Sequence, residues 1–492
     1  MAGQSFFDEI WGYSRARKPR PGFDEIAQWI RTTPKSELKR RQDSAEAAFR
    51  QLGITFNVYG EEEEAERIIP FDIVPRIFTA NEWDRLTIGL EQRVNALNAF
   101  LGDVYGDRKI LGDGIVPADL VLGNPGFTPA VNGHRPPHGI HVHIAGIDMV
   151  RTGPDEFYVL EDNVRTPSGV SYMLENREAM LRLCPELFEI FEVEPVDRYP
   201  DALGAMMKSV APEGASSDCN CVLLTPGHFN SAFYEHSFLA DNVGIELVES
   251  ADLIVDDDIV WMRTIEGRKR VDVIYRRIDD EFLDPLIFRP DSMLGVPGLM
   301  AAYFAGNVTI INAPGNGIAD DKAIYSYMPE IVKYYTGEDA KLPNVETWRC
   351  READALQYTL EHLEELVVKK VDGSGGYGML VGPAATAEEI EEFRAVLKAK
   401  PAGYIAQPTL ALSTVPTLTD KSIKGRHVDF RPFVLSGTNG VTTVPGGLTR
   451  VALQEGSLVV NSSQGGGTKD SLVLRPDDQQ PAQSQSQSQA QS

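Results

Sequence analysis

The 492-residue chain carries 47 Lys plus Arg against 72 Asp plus Glu, a formal net charge of −25, with 42% hydrophobic residues and four cysteines. That balance supplies a core for two or three domains and argues against a nucleic-acid or anionic-membrane partner, so an anionic substrate needs locally placed Lys, Arg or divalent metal. Apolar runs stop short of a membrane span, the first residues lack a basic-then-apolar signal, and four cysteines in this length set no disulfide framework; a cytoplasmic protein with reduced thiols is the expectation.

In chain order, 37–54 and 82–104 place apolar residues at helical spacing, and Glu61-Glu62-Glu63-Glu64 between them reads as a solvated face. Ile140 to Ala145 and Phe157 to Leu160 read as strands, ending near Asp148 and Glu161. His141 and His143 share a strand face, but no Cys or His cluster completes a zinc site with them. Between 221 and 275 the pattern turns α/β: strands at Cys221 to Leu224, Ile245 to Val248 and Val273 to Tyr275, with a helix near 232–240, predict a parallel sheet. Further on come an apolar run ending in Lys369, a glycine-rich turn, and a helix capped by Thr386 and Glu389. Strands follow at 403–407 and 428–434; Ser463 to Asp470 reads as a loop over a substrate or a surface turn, and the Gln-Ser-rich end as a disordered tail.

Two segments carry the chemistry. Lys369 ends Leu366-Val367-Val368, and Gly373, Ser374, Gly375, Gly376 and Gly378 follow, giving an ammonium beside backbone that can approach a polyphosphate closely; a plain hairpin is the competing reading. In Glu161-Asp162-Asn163-Val164-Arg165-Thr166-Pro167-Ser168-Gly169, strand alternation puts Glu161 and Asn163 on one side and Asp162 on the other. Glu161 and Asn163, with Asp148 from the preceding strand, offer hard oxygen donors suited to Mg²⁺, whereas an Asx turn or a surface salt network is the plainer alternative. Arg165 supplies donors for phosphate or carboxylate, and Ser168 lies in the adjoining turn. Glu235 and His236 line the far wall of a cleft or pack structurally, and Arg276 and Arg277 bind an acidic substrate or join a salt network. Asp429 and Arg431 share a strand face, for phosphate contact or as an internal pair.

Taken together, Glu161 to Gly169, Asp321-Lys322, Val368 to Gly378, Gln407 and Asp429-Phe430-Arg431 resemble the circularly permuted ATP-grasp family, including glutathionylspermidine-synthase-like proteins, over most of 69–474. The acid–amide element here precedes the lysines, whereas in non-permuted relatives it follows them. The resemblance implies an α/β or α+β ATP-grasp architecture, with ATP contacted by Lys322 and Lys369, Gln407 near the adenine, and Mg²⁺ on Asp148, Glu161 and Asn163. Gly146-Ile147-Asp148 departs from the Arg-x-Asp form of some relatives.

The expected organisation is a helical support region (1–138), a metal-binding part of the core (139–220), an α/β substrate domain (221–311), a nucleotide-binding region (312–474) and a tail (475–492). The expected activity is ATP-dependent ligation of a carboxylate, small or peptide-like, to an amine through an acyl phosphate, with Arg165 and Arg431 catalytic. A regulatory nucleotide-binding protein and a phosphotransferase are the alternatives.

Overall fold

The computed structural model describes residues 6–14, 18–57, 66–371, 378–420, 422–457, 460 and 466–476. Its architecture is mixed α/β, as expected, and is built on three principal sheets.

The central sheet has nine strands and draws on distant parts of the chain. Phe71–Phe78 and Ile144–Arg151 are buried along their whole length, which is why their apolar residues do not alternate with polar ones. Ile423–Arg431 and Leu448–Val451 lie between them, and Gly467–Val473 runs parallel to Phe71–Phe78. The sheet therefore takes a strand from the N-terminal region, expected to be a helical and support region. It also unites 414–473 with 144–163, which the sequence reading put in separate regions. Ser463 to Asp470, read as a loop, is here a buried strand from Gly467 onward, with Lys469 paired to Asp72 at 2.9 Å.

The helix Ala80–Val104 packs on this sheet. A capping box between Thr79 and Glu82 fixes its start, and Leu86, Leu90, Val94, Leu97 and Leu101 form its buried stripe. Each such side chain contributes roughly 1.5–3 kcal/mol by leaving water. The strand expected from Ile140 starts instead at Ile144. The amides of His141 and Val142 donate to Asn98 Oδ1, and those of His143 and Ile144 to Asn312 Oδ1, so side chains occupy donors that a sheet ladder would use.

A four-stranded parallel sheet orders Thr309–Ile311, Val273–Arg276, Cys221–Leu224 and Glu246–Val248, as the α/β pattern predicts. A smaller antiparallel sheet comprises Trp348–Arg349, Tyr404–Pro408, Leu366–Lys370 and Leu380–Val381. Leu366, Val368 and Ala406 face Ile390 and Leu397 of the helix Ala387–Ala399, whose Thr386–Glu389 capping box is present. Val367 and Lys369 therefore face the other way. Gln407 pairs with Val367, so it shares the Lys369 face.

Candidate active site

The site begins with two neighbouring central-sheet strands. Asp148 lies directly opposite Glu161 and Gly146 opposite Asn163, so Asp148, Glu161 and Asn163 share one face. Asp162 points to the other side, where Arg93 holds both its oxygens at 2.6 and 2.7 Å. A Cβ on Gly146 would lie 3.1 Å from Pro167 and 3.2 Å from the Arg431 side chain, so the glycine leaves room for that arginine.

The two lysines arrive from separate elements. Asp321 caps the short helix Lys322–Tyr325 by accepting from the amides of Ala323 and Ile324. The Lys322 amide donates to the Val371 carbonyl at 3.2 Å, tying this helix to the end of the Lys369 strand. Lys322 Nζ lies 3.2 Å from Glu161 Oε2. Burial pushes the half-buried Lys369 ammonium down to about 8; the field of Glu161 opposes this and that of Lys322 adds to it. Both ammonium groups thus sit in the field of Glu161, and Lys369 in that of Asp148 as well.

Below them lies a quartet that sequence reading resolved only in part. Arg431 donates to both oxygens of Asp148, and Arg450 bridges Asp148 at 2.7 Å and Asp429. Burial raises the Asp148 carboxyl, but Arg431 and Arg450 outweigh it and hold the group well below the ordinary range; for Asp429, burial outweighs Arg450 and the shift is upward. Arg450 was missed. Its cross-strand register with Asp429 follows from strand pairing and leaves no local sequence signal.

The other expected site residues fall into two groups. Arg165 is exposed and paired with Asp320 at 2.9 Å and Asp279 at 3.4 Å. The Ser168 carbonyl accepts from Arg431 at 3.2 Å. By contrast, Glu235 is buried; its Oε2 accepts from the amides of Gly169 and Ser171 and from the Ser171 hydroxyl, closing the first turn of the helix Val170–Leu183. Gly169 reaches that turn at φ 115°, a conformation that favours glycine. Arg277 holds the same junction, donating to the Pro167 carbonyl at 2.6 Å and to Glu235 at 3.2 Å. Arg276 is fully buried, bonded to the carbonyls of Asn312 and Ile278. His236 meets Thr225 Oγ1 at 2.9 Å, and burial, then Arg277, lowers it to about 2. The structure thus engages all four in internal contacts: Glu235 and Arg277 brace the turn at 167–171, whereas His236 and Arg276 bond to residues at or just beyond the ends of the parallel strands.

Gln407 is buried, with Nε2 donating to Thr347 Oγ1 at 3.0 Å. Gly378 follows the lysine strand at φ 70°, whereas Gly373, Ser374, Gly375 and Gly376 lie outside the described residues.

Among the described residues, no three His, Cys, Asp or Glu side chains gather into a metal cage. Mg²⁺ bound with nucleotide needs less, since one or two carboxylates and phosphate oxygens complete its shell. Glu161 and Asn163 fit that requirement. Among the described residues, the partly exposed Glu161 pairs with the Lys322 ammonium, and the buried amide nitrogen of Asn163 has no hydrogen-bond partner, so no hydrogen bond there fixes the orientation of its amide. Asp148 fits less well, because both its oxygens already accept guanidinium hydrogens.

Sheet architecture, strand order and the acid–amide element ahead of the lysines together define a permuted ATP-grasp protein. The chain belongs to the circularly permuted ATP-grasp type 2 family, which it matches over residues 75–452. An uncharacterized protein of Synechocystis sp. is 49% identical over 471 residues, spanning 96% of this chain and 97% of that protein. An uncharacterized protein of Mycobacterium tuberculosis is 50% identical over 442 residues, spanning 90% and 79% respectively. The structure of a glutathione synthetase-like effector from Globodera pallida, in apo form, superposes with a TM-score of 0.60 over 92% of this chain and 99% of that one; at 11% identity the likeness is one of fold. Family membership supports ATP-grasp ligase chemistry in general, and the family typically uses ATP and Mg²⁺. No helix among the described residues is long and apolar enough to cross a membrane.

Proposed function

We propose that this chain joins a carboxylate to an amine at the expense of ATP, through an acyl phosphate. The observation that carries this reading is the convergence of Lys322 and Lys369, from two elements, on the strand face that bears Glu161 and Asn163. A single lysine beside a carboxylate is an ordinary ion pair. Two ammonium groups brought from separate elements to one strand face match the charge of a polyphosphate.

In this reading Lys322 pairs with phosphate instead of Glu161, and Glu161 and Asn163 would hold Mg²⁺, which would supply charge neutralisation at the phosphates. Lys322 and Lys369 hold the triphosphate. Arg431, set by Asp148, offsets the charge on the transferring group, and Arg165 steers the substrate carboxylate. A carboxylate oxygen attacks the γ-phosphorus as its bond to the bridging oxygen of ADP breaks. The amine then attacks the acyl carbon, phosphate leaves, and the amine proton passes to solvent. His236 is too weak a base for that proton, and Glu235 is already committed to the Gly169 turn.

The test is ADP release and amide product by mass spectrometry, with purified protein, ATP, Mg²⁺ and a panel of carboxylates and amines. Lys369→Ala and Glu161→Ala are each expected to lower turnover by roughly 10²-fold or more, the scale for removing one charge-stabilising group. Folded variants that retain wild-type product formation would reject this assignment. Nucleotide binding without turnover across the panel would favour the regulatory alternative.

A further inference from the structure

We infer that the buried Arg93–Asp162 pair is the positioning element of the site, fixing the metal-donor strand against the helix that carries Lys322. This rests on the reading of Glu161 and Asn163 as metal donors.

Arg93 stands on the helix Ala80–Val104 and is almost fully buried. Its Nε and one terminal nitrogen grip both Asp162 oxygens, and the other terminal nitrogen donates to Asn344 Oδ1 at 2.8 Å. Asn344 Nδ2 in turn donates to the Tyr325 carbonyl at 2.6 Å. The Arg93 guanidinium also lies 5.7 Å from the centre of the Tyr325 ring, within cation–π range. Tyr325 ends the short helix that Lys322 begins. Its hydroxyl donates to the Val159 carbonyl, on the donor strand, and accepts from the Val345 amide at 3.1 Å. The brace thus runs from Arg93 to Asp162 in the donor strand, and through Asn344 and Tyr325 to the Lys322 helix and back to Val159.

Geometry gives this arrangement its consequence. Side chains alternate along a strand, so Asp162 anchored on the far face compels Glu161 and Asn163 toward the lysines; a slip of one residue would bury both donors. The planar guanidinium fixes the carboxylate in two directions at once, which a lysine ammonium cannot do. Groups that orient metal donors from behind affect metal affinity by roughly 10- to 100-fold when altered.

The experiment measures Mn²⁺ binding by electron paramagnetic resonance with a non-hydrolysable ATP analogue present, alongside the thermal midpoint. Proteins compared are the wild type and its Glu161→Ala, Arg93→Lys, Asp162→Asn and Tyr325→Phe variants. Arg177→Lys serves as a control, since Arg177 and Asp470 form another buried pair, at 2.7 Å, between a helix and the central sheet. Arg93→Lys and Asp162→Asn are expected to weaken Mn²⁺ binding by roughly tenfold or more. Tyr325→Phe, which removes only a hydroxyl, should fold even where the other two do not, and should weaken binding in the same direction. Arg177→Lys should lower the midpoint and leave Mn²⁺ binding unchanged. Wild-type binding in whichever of the Arg93, Asp162 and Tyr325 variants fold, or equal weakening in Arg177→Lys, overturns the inference while leaving the metal site standing. Unchanged binding in Glu161→Ala overturns the metal reading itself, and this inference with it.

Discussion

Lys369 is the residue whose state decides how the site meets an anion. Burial holds its ammonium near 8, below the ordinary 10.5, so the cation is present at neutral pH and is lost as pH rises through about 8. Affinity for ATP should therefore fall as pH rises from 7 to 9, with an inflection near 8 that Lys369→Ala removes; calorimetric titration across that range checks it, and a flat profile in the wild type would count against the charge role. Its effect on stability has the opposite sign. Between about 8 and 10.5 the unfolded chain keeps a proton that the folded chain has released, so this group's contribution to stability rises with pH across that window. Alternation alone sufficed to read which side Glu161, Asp162 and Asn163 face, because the period of a strand is local. The partners of Asp148 were hidden for the converse reason: Arg450 lies 302 residues away in sequence and meets it only through sheet order.

The small antiparallel sheet is the element that presents Lys369. Two of its strands, Leu366–Lys370 and Tyr404–Pro408, and its capped helix were legible, since the apolar runs and the Thr386–Glu389 box act over a few residues. Its dependence on Gly382 was not. A Cβ there would lie 1.9 Å from the Leu363 carbonyl oxygen and 2.9 Å from that of Leu366, both backbone atoms, at the entry to the lysine strand. Gly382→Ala must therefore move the strand rather than a side chain. We expect nucleotide affinity to fall at least tenfold in this variant while the parallel sheet, which it does not touch, keeps its native hydrogen-exchange protection. Wild-type affinity would mean that the strand entry yields without moving Lys369. The strand expected at Ile140 illustrates the same limit from the other side: its residues have strand composition, but Asn98 and Asn312 take the backbone amides first.

At the scale of the whole molecule, the site exists only where sheets from separate stretches of chain meet, and Asn312 is the side chain that joins two of them. It follows the parallel strand Thr309–Ile311, and its own carbonyl accepts from Arg276 at 2.9 Å. Its amide oxygen accepts from His143 and Ile144 at 2.6 and 2.8 Å; its nitrogen donates to the carbonyls of Ile144 and Val164 at 2.7 Å and of Arg165 at 3.2 Å. One buried amide thus fixes the start of the Asp148 strand and the segment just after Asn163 relative to the parallel sheet. Asn312→Ala would strip several buried backbone groups of a partner, each costing about 1–3 kcal/mol unless water replaces it. The expected result is a loss of about 3 kcal/mol or more in unfolding free energy, against about 0.5 kcal/mol or less for Asn242→Ala, an exposed asparagine that bonds only within its own helix. Denaturant titration followed by fluorescence distinguishes the two. Equal stability would mean that the sheets hold their relation through other contacts, such as those of Arg277 and Glu235, and that the donor strand is set from the Arg93 side rather than by Asn312.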